Sequence, residues 1–263
     1  MKIKNLIFCL ALFGVLVFSG CISNDIRLSE GQPFAVLSVR GNMNVPWLEE
    51  RDDDYKDLDG MLTNAINKTF GKNNPEILTG QDRINYAADQ FAYLLETNAG
   101  VEVISKEKVV GSSQYKAIAP SIFSFGDTLV YADDYKKIDE LASKKTKFLL
   151  SEINGKSTVF LTFTFNKVLV EGSKLKGQVA ANVTMNIDIY DQRGRQQVMD
   201  SFTAQSDTLL EIDKTNYDKD ALVDCFPKII DLASAILEKV PVYRLSCTPD
   251  ERAVDVLWQA IFR

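Results

Sequence analysis

The sequence predicts an α+β domain: a mixed sheet with an antiparallel meander in its C-terminal half, helices packed on one face, and the order β-α-β-α-β-β-β-α, followed by an extra C-terminal helix. Three observations carry this expectation. Leu161, Phe163 and Phe165 alternate with Thr162, Thr164 and Asn166; beyond a turn at Glu171–Gly177, Val179, Ala181, Val183, Met185, Ile187 and Ile189 alternate with small or polar residues. Period two sustained over neighbouring segments makes antiparallel strands with one buried face. Ile84, Ala87, Ala88, Phe91, Leu94 and Leu95 recur instead at helical spacing. Finally, 263 residues with 46% hydrophobic and 25% charged side chains are ordinary globular values, which exclude wholesale disorder and fit one large domain.

In chain order, Phe34–Val39 (FAVLSV) is a short apolar run read as a buried strand. Residues 40–78 form an insertion with a short helix near Met61–Phe70. Thr79-Gly80-Gln81-Asp82 resembles a capping box opening the helix over Ile84–Leu95, and Asn98 and Gly100 stop it. Val101–Ser105 is the next strand. Asp134 can cap a helix carrying Ile138, Leu141 and Ala142. The meander's third strand follows the turn at Asp191–Gly194 and runs over Gln196–Thr208. Asp220–Val240 reads as a helix that is kinked at Pro227 or begins near it. Thr248-Pro249-Asp250-Glu251 caps the last helix, whose Val254, Leu257, Trp258 and Ile261 form a one-sided apolar stripe, a candidate partner surface.

The first twenty residues read as an address. Lys2 and Lys4 precede thirteen uncharged residues, Leu6–Phe18, a length that suits a secretory signal and falls short of the ~18–20 residues needed to span a bilayer. Phe18-Ser19-Gly20-Cys21 then resembles the lipobox of bacterial lipoproteins, with Phe18 standing where Leu is usual. That resemblance implies lipidation of Cys21 and a mature chain beginning there. Ile22, in place of the Asp that marks inner-membrane retention in such proteins, implies the outer membrane, facing the periplasm. Two or three acyl chains anchor a protein stably where one does so marginally. Residues 21–32 are then a polar tether and 33–263 a single domain.

Removing residues 1–20 takes two lysines from 30 basic residues and none of the 36 acidic ones, leaving a net charge of −8. The acidity concentrates in Glu49–Asp59, with seven acids against two bases. No basic stripe interrupts it, so nucleic acid is not an expected partner. Asp54, Asp57 and Asp59 before Gly60 brush against the calcium-loop pattern, but the twelfth position is Ile66 rather than a bidentate acid. A solvated loop is the reading, with a weak calcium site as its alternative.

The chain has no histidine. This removes Ser-His-Asp and Cys-His nucleophile arrangements and His-containing zinc sites. Neither a glycine-rich phosphate loop nor a G-x-S-x-G elbow is present. S-x-x-K occurs at Ser105/Lys108, Ser113/Lys116 and Ser173/Lys176, on segments so different that chance explains it, and the K-T-G box that accompanies it in penicillin-recognising enzymes is absent. No catalytic residue, metal site or cofactor is assigned. Cys225 and Cys247 remain in an oxidising compartment. A helix from Cys225 to Val240 rises ~22 Å, and the steps back to Cys247, extended at ~3.3 Å each, cover the same distance. They are either a disulfide or two buried thiols.

With this order of elements the chain resembles the periplasmic lipoproteins of the curli-secretion-channel and penicillin-binding-protein-activator type, over roughly residues 33–240. The matching pieces are FAVLSV, the join LLETNAGVEVISKEKV, and VTMNIDIYDQRGRQQVMDSFTAQSD, in which alternating apolar residues end in an Asp-x-x-Gly turn and continue into the next strand. The acidic insertion and the helix after Pro249 depart from the pattern. The resemblance implies a non-catalytic, lipid-anchored protein that binds envelope proteins or assembles with copies of itself. Three functions are thereby in view. The first is a non-enzymatic adaptor or assembly factor. The second is an oligomeric channel or secretion component built on the hairpin Thr158–Tyr190. The third is a small-ligand or calcium-binding lipoprotein using the insertion.

Overall fold

The computed structural model describes residues 25–48, 74–97, 100–119, 129–138, 140–235 and 242–244. A six-stranded mixed sheet organises them. β2 (Phe34–Asn42) lies parallel to β4 (Ser157–Ser173), which pairs antiparallel with β5 (Lys176–Asp191), which in turn pairs antiparallel with β6 (Gln196–Gln205). β3 (Leu129–Tyr131) closes one edge against the end of β2, and β7 (Leu210–Asp213) pairs with the first residues of β5. The α+β class and the meander are as the alternation requires: β4 and β5 keep one register from Thr158↔Tyr190 to Leu169↔Val179, then shift at a bulge before Glu171↔Gln178.

The larger core lies on one face of the sheet. Val36, Val39, Leu161, Phe163, Phe165, Val183, Met185 and Ile187 meet Ile84 and Phe91 of α3 (Gly80–Thr97) and Phe226, Ile229 and Ile230 of α8 (Phe226–Ala235). α3 approaches so closely that a Cβ on Gly41 would stand 2.3 Å from Ile84 Cδ1 and 2.7 Å from the Phe163 carbonyl oxygen. A second, smaller core lies on the opposite face. There Ala35, Leu37 and Phe160 meet Val109 of α4 (Lys106–Gly111), Tyr115 of α5 (Ser113–Lys116), and Leu149, Leu150 and Ile153 of α6 (Ser143–Ile153). One-faced layering therefore describes α3 and α8 only; α4, α5 and α6 cover the opposite face over β2 and the start of β4. FAVLSV is a continuous apolar run because β2, as a parallel strand, is buried on both sides.

Several boundaries differ from expectation, each for a local reason. Val101–Ser105 is not a strand: only Val103 bridges to Phe34, because Ser105 at once caps α4. Asp134 caps no helix. It sits in a turn at φ 69°, Ile138 is buried in the loop, and α6 begins at Ser143. The box at Thr79 is likewise used differently. Its hydroxyl donates to the Pro75 carbonyl and accepts from Arg83, joining α2 (Pro75–Leu78) to α3. Asp220–Val240 is split into α7 (Lys219–Asp224) and α8, with Pro227 near the start of the second. A proline in a first turn lacks only a donor that is unpaired there anyway.

The insertion boundaries also shift: Arg40–Asn42 complete β2 and residues 75–78 form α2. The segment read as a tether is structured in part, since β1 (Asp25–Arg27) pairs antiparallel with β8 (Val242–Arg244) and α1 (Leu28–Gly31) follows. The third meander strand ends at Gln205. The expected helices at 61–70 and after Pro249 lie outside the described residues.

Candidate functional site: the polar sheet face and its charged rim

The face of β4, β5 and β6 opposite the larger core carries the residues that the alternation sets outward: Thr162, Thr164 and Asn166 on β4, Asn182, Thr184, Asn186 and Asp188 on β5, and Met199, Ser201 and Thr203 on β6. They stand in cross-strand rows, Thr164↔Thr184↔Thr203 and Thr162↔Asn186↔Ser201. Thr184 and Thr203 hydroxyls are 3.1 Å apart, and Arg40 Nε donates to Thr162 Oγ1 at 2.9 Å. Burial opens across the face. Asn166 and Asn182 are buried, the middle of β5 is half-buried, and Met199 on β6 is 74% exposed.

Asn166 and Asn182 face each other across the strands, and both side-chain polar atoms of Asn166 and the Oδ1 of Asn182 lack a hydrogen-bond partner. An unmade hydrogen bond on a buried amide costs ~1–3 kcal/mol. Asp188, at the other end, is held above its ordinary carboxyl range by burial, against the opposing effects of a 2.8 Å hydrogen bond from Gln196 and of the Arg40 charge. Among the described residues β6 pairs with β5 alone, so its outer side carries no strand ladder there, and β8 packs close to β6. Hydroxyl and amide rows next to such a side suit the main chain of an extended polypeptide, which offers alternating N–H and C=O groups.

The rim at the far end of β4 is charged. Lys167 occupies the inward position after Leu161, Phe163 and Phe165, and its Nζ lies 3.1 Å from Glu76 Oε2. The Tyr217 hydroxyl also donates to Glu76, and burial together with that carboxylate drives the phenol pKa upward. Arg83 donates from Nη2 to the carbonyls of Met43 and Glu76, at 2.7 and 2.9 Å, while its guanidinium lies over the rings of Phe165 and Phe226. Burial lowers its pKa to about 10 despite the neighbouring carboxylates. Trp47 bridges to Lys167, and the cations of Lys167 and Lys174 stand over its ring. This cluster fastens both stems of the acidic insertion, at Met43–Trp47 and at Pro75–Leu78, to the sheet.

The residues singled out from sequence fall mostly elsewhere. Cys21, Asp54, Asp57, Asp59, Cys247, Val254, Leu257, Trp258 and Ile261 lie outside the described residues. Cys225 lies between α7 and α8 and pairs with no cysteine among the described residues, its Sγ 3.2 Å from the Ala221 carbonyl oxygen. The S-x-x-K serines have structural work: Ser105 caps α4, and Ser173 Oγ accepts from the amides of Leu175 and Lys176 in the hairpin turn. Glu76, Arg83 and Lys167 were not expected. A lysine breaking the inward row of β4, and an arginine one turn before Ala87 on the apolar face of α3, were the signals that could have found them. Among the described residues no group of acidic or cysteine side chains is placed to hold a metal ion, and no helix is long and apolar enough to cross a membrane. No protein-family model matches this chain, and no curated protein matches it.

Proposed function

We propose that the protein is a non-enzymatic, lipid-anchored cell-envelope adaptor that binds a partner protein along β6 and the polar face beside it. The observation that carries this reading is that, among the described residues, the outer side of β6 pairs with no strand and lies beside rows of threonine, serine and asparagine. An incoming strand would complete the main-chain ladder, and the side-chain rows would set its register. Lipidation at Cys21 would hold the domain at the outer membrane with this edge facing the periplasm.

Photo-crosslinkers at Ser201 and Thr203, in cells, test the reading. A discrete covalent adduct with an envelope protein is the expected result, lost when Thr203 is replaced by a charged residue. Monomeric adduct-free protein at both positions would refute the docking edge, and unchanged mobility of a Cys21→Ser variant would refute the anchor. An oligomeric channel built on the β4–β5 hairpin is the second reading, favoured by strands of 17 and 16 residues, longer than the ~9–11 a transmembrane strand needs. It requires α3 and α8 to leave the apolar face they now cover. A ring-sized mass by light scattering in detergent would favour it over the adaptor.

A further inference from the structure

We infer that the outward face of α6 is a docking surface for an anionic lipid bilayer, an inference that deepens the lipid-anchored reading above. α6 buries Thr146, Leu149, Leu150 and Ile153 in the smaller core and turns Lys144, Lys145, Lys147 and Phe148 to solvent. Phe148 is 50% exposed and lies near the centre of that outward arc, with Lys144 Nζ 6.0 Å from its ring centroid. A large apolar ring in a frame of three ammonium groups is the composition of an interfacial helix. The ring enters the acyl boundary while the lysine stems lie along it, their charges reaching phosphate oxygens.

The acidic residue on this face does not cancel the charge. Glu152 accepts from the amides of Ser113 and Gln114 at 2.8 and 2.9 Å, and these bonds hold its carboxyl below the ordinary range. Glu152 therefore stays ionised, bonded to the start of α5, and with Lys144, Lys145 and Lys147 the face keeps an excess of positive charge. Glu140, exposed, precedes the helix, and its charge acts on Tyr190.

Position in the molecule argues for a lipid surface over an acidic protein. The N-terminal segment enters the domain beside the C-terminal end of α6: the Lys156 amide donates to the Pro33 carbonyl at 2.9 Å, and Phe34 pairs with Ser157. Pro33 and Phe34 thus enter the sheet at the end that α6 backs, and the charged rim and hairpin turn occupy the other end. The tether would hold the domain near a bilayer, and α6 would fix which side faces it.

The test is lysine footprinting on the full chain. Purified protein is mixed with vesicles of phosphatidylcholine, or of phosphatidylcholine containing phosphatidylglycerol, pulsed with an acetylating reagent, and each lysine is read by peptide mass spectrometry. The expected result is protection of Lys144, Lys145 and Lys147 by about fivefold on the anionic vesicles only, the scale of one lysine–anionic surface contact. Molar salt should abolish it, Phe148→Ser should weaken it, and Lys176 and Lys214 at the opposite end should be unaffected. Equal reactivity on the two kinds of vesicle overturns the inference, as does protection spread evenly to Lys176 and Lys214. The same digest shows whether the peptide beginning at Cys21 carries acyl chains, so failure of the anchor is seen separately from failure of the α6 surface.

Discussion

At the scale of single residues, the strongest constraints come from groups whose charge or hydroxyl is buried. Glu76 sits 4% exposed between Lys167 and the Tyr217 hydroxyl, with the Arg83 guanidinium bonded to its carbonyl. Removing one member of such a pair leaves an uncompensated buried charge, so Glu76→Ala should lose ~3–5 kcal/mol in urea unfolding. Glu76→Leu combined with Lys167→Met removes both charges and should recover at least half of that loss. If the double variant is as unstable as the single one, the charge argument fails and packing alone explains the site. Tyr115 makes a different kind of constraint. Its hydroxyl donates to the Leu37 carbonyl at 2.7 Å and accepts from the Lys136 amide at 2.8 Å, tying the 135–138 loop to β2. Tyr115→Phe leaves both backbone groups without that partner and should cost ~1–3 kcal/mol. Burial raises this phenol from 10.0 to about 12, against the opposing Lys136 bond. The folded state thus holds the proton more tightly than the unfolded one. That contribution is fully present below pH 10.0 and is lost as pH rises through about 12. The alkaline limb of the stability profile should accordingly be shallower in Tyr115→Phe than in the parent.

At the scale of elements, α3 packs tightly on β2, and Gly41 permits it. A methyl group there meets a backbone oxygen at 2.7 Å, which cannot rotate away, as well as the tip of Ile84. Gly41→Ala should therefore destabilise by ~1–3 kcal/mol, and adding Ile84→Val should restore only part of it, measured as a shift in urea midpoint. The same elements show what sequence pattern can and cannot convey. β4, β5 and β6 were legible because a half-buried strand prints its two faces directly as alternating side chains. α3 was legible because its apolar stripe is unbroken from Ile84 to Leu95. The start of α6 was not, because its N-cap is Ala142, which makes no side-chain bond, whereas Asp134, the better capping residue, serves a turn in the left-handed region. The second core was hidden too. It is assembled from two short helices, the helix before β4 and one face of a strand whose run looked equally apolar on both sides. The polar sheet face was visible as the other half of the alternation, yet that half is read by default as solvent-facing. The unpartnered amide of Asn166 and Oδ1 of Asn182 set part of it apart, and only the pairing of the strands brings them together.

At the scale of the whole molecule, the β4–β5 hairpin is the feature on which adaptor and channel diverge. Its apolar row, Val159 to Phe165 on one strand and Val179 to Ile189 on the other, is wholly inside the larger core under α3 and α8. Apolar surface already removed from water by helices gains nothing further by entering lipid unless those helices are displaced. That displacement would expose Ile84, Ala87, Phe91, Phe226, Ile229 and Ile230 together, at ~1.5–3 kcal/mol for each large side chain. It would also strand the Arg83 guanidinium, which now rests on Phe165 and Phe226. The adaptor reading therefore predicts that amides of α3 and α8 exchange with deuterium at the same slow rates in detergent and in bilayers, near the limit set by global unfolding. The channel reading predicts the reverse: α3 and α8 lose protection on transfer to bilayers while the hairpin keeps its own. Hydrogen exchange resolved by peptide separates these outcomes without knowledge of the partner. The core geometry favours the first, because the apolar row of the hairpin is already buried in the larger core with side chains of α3 and α8.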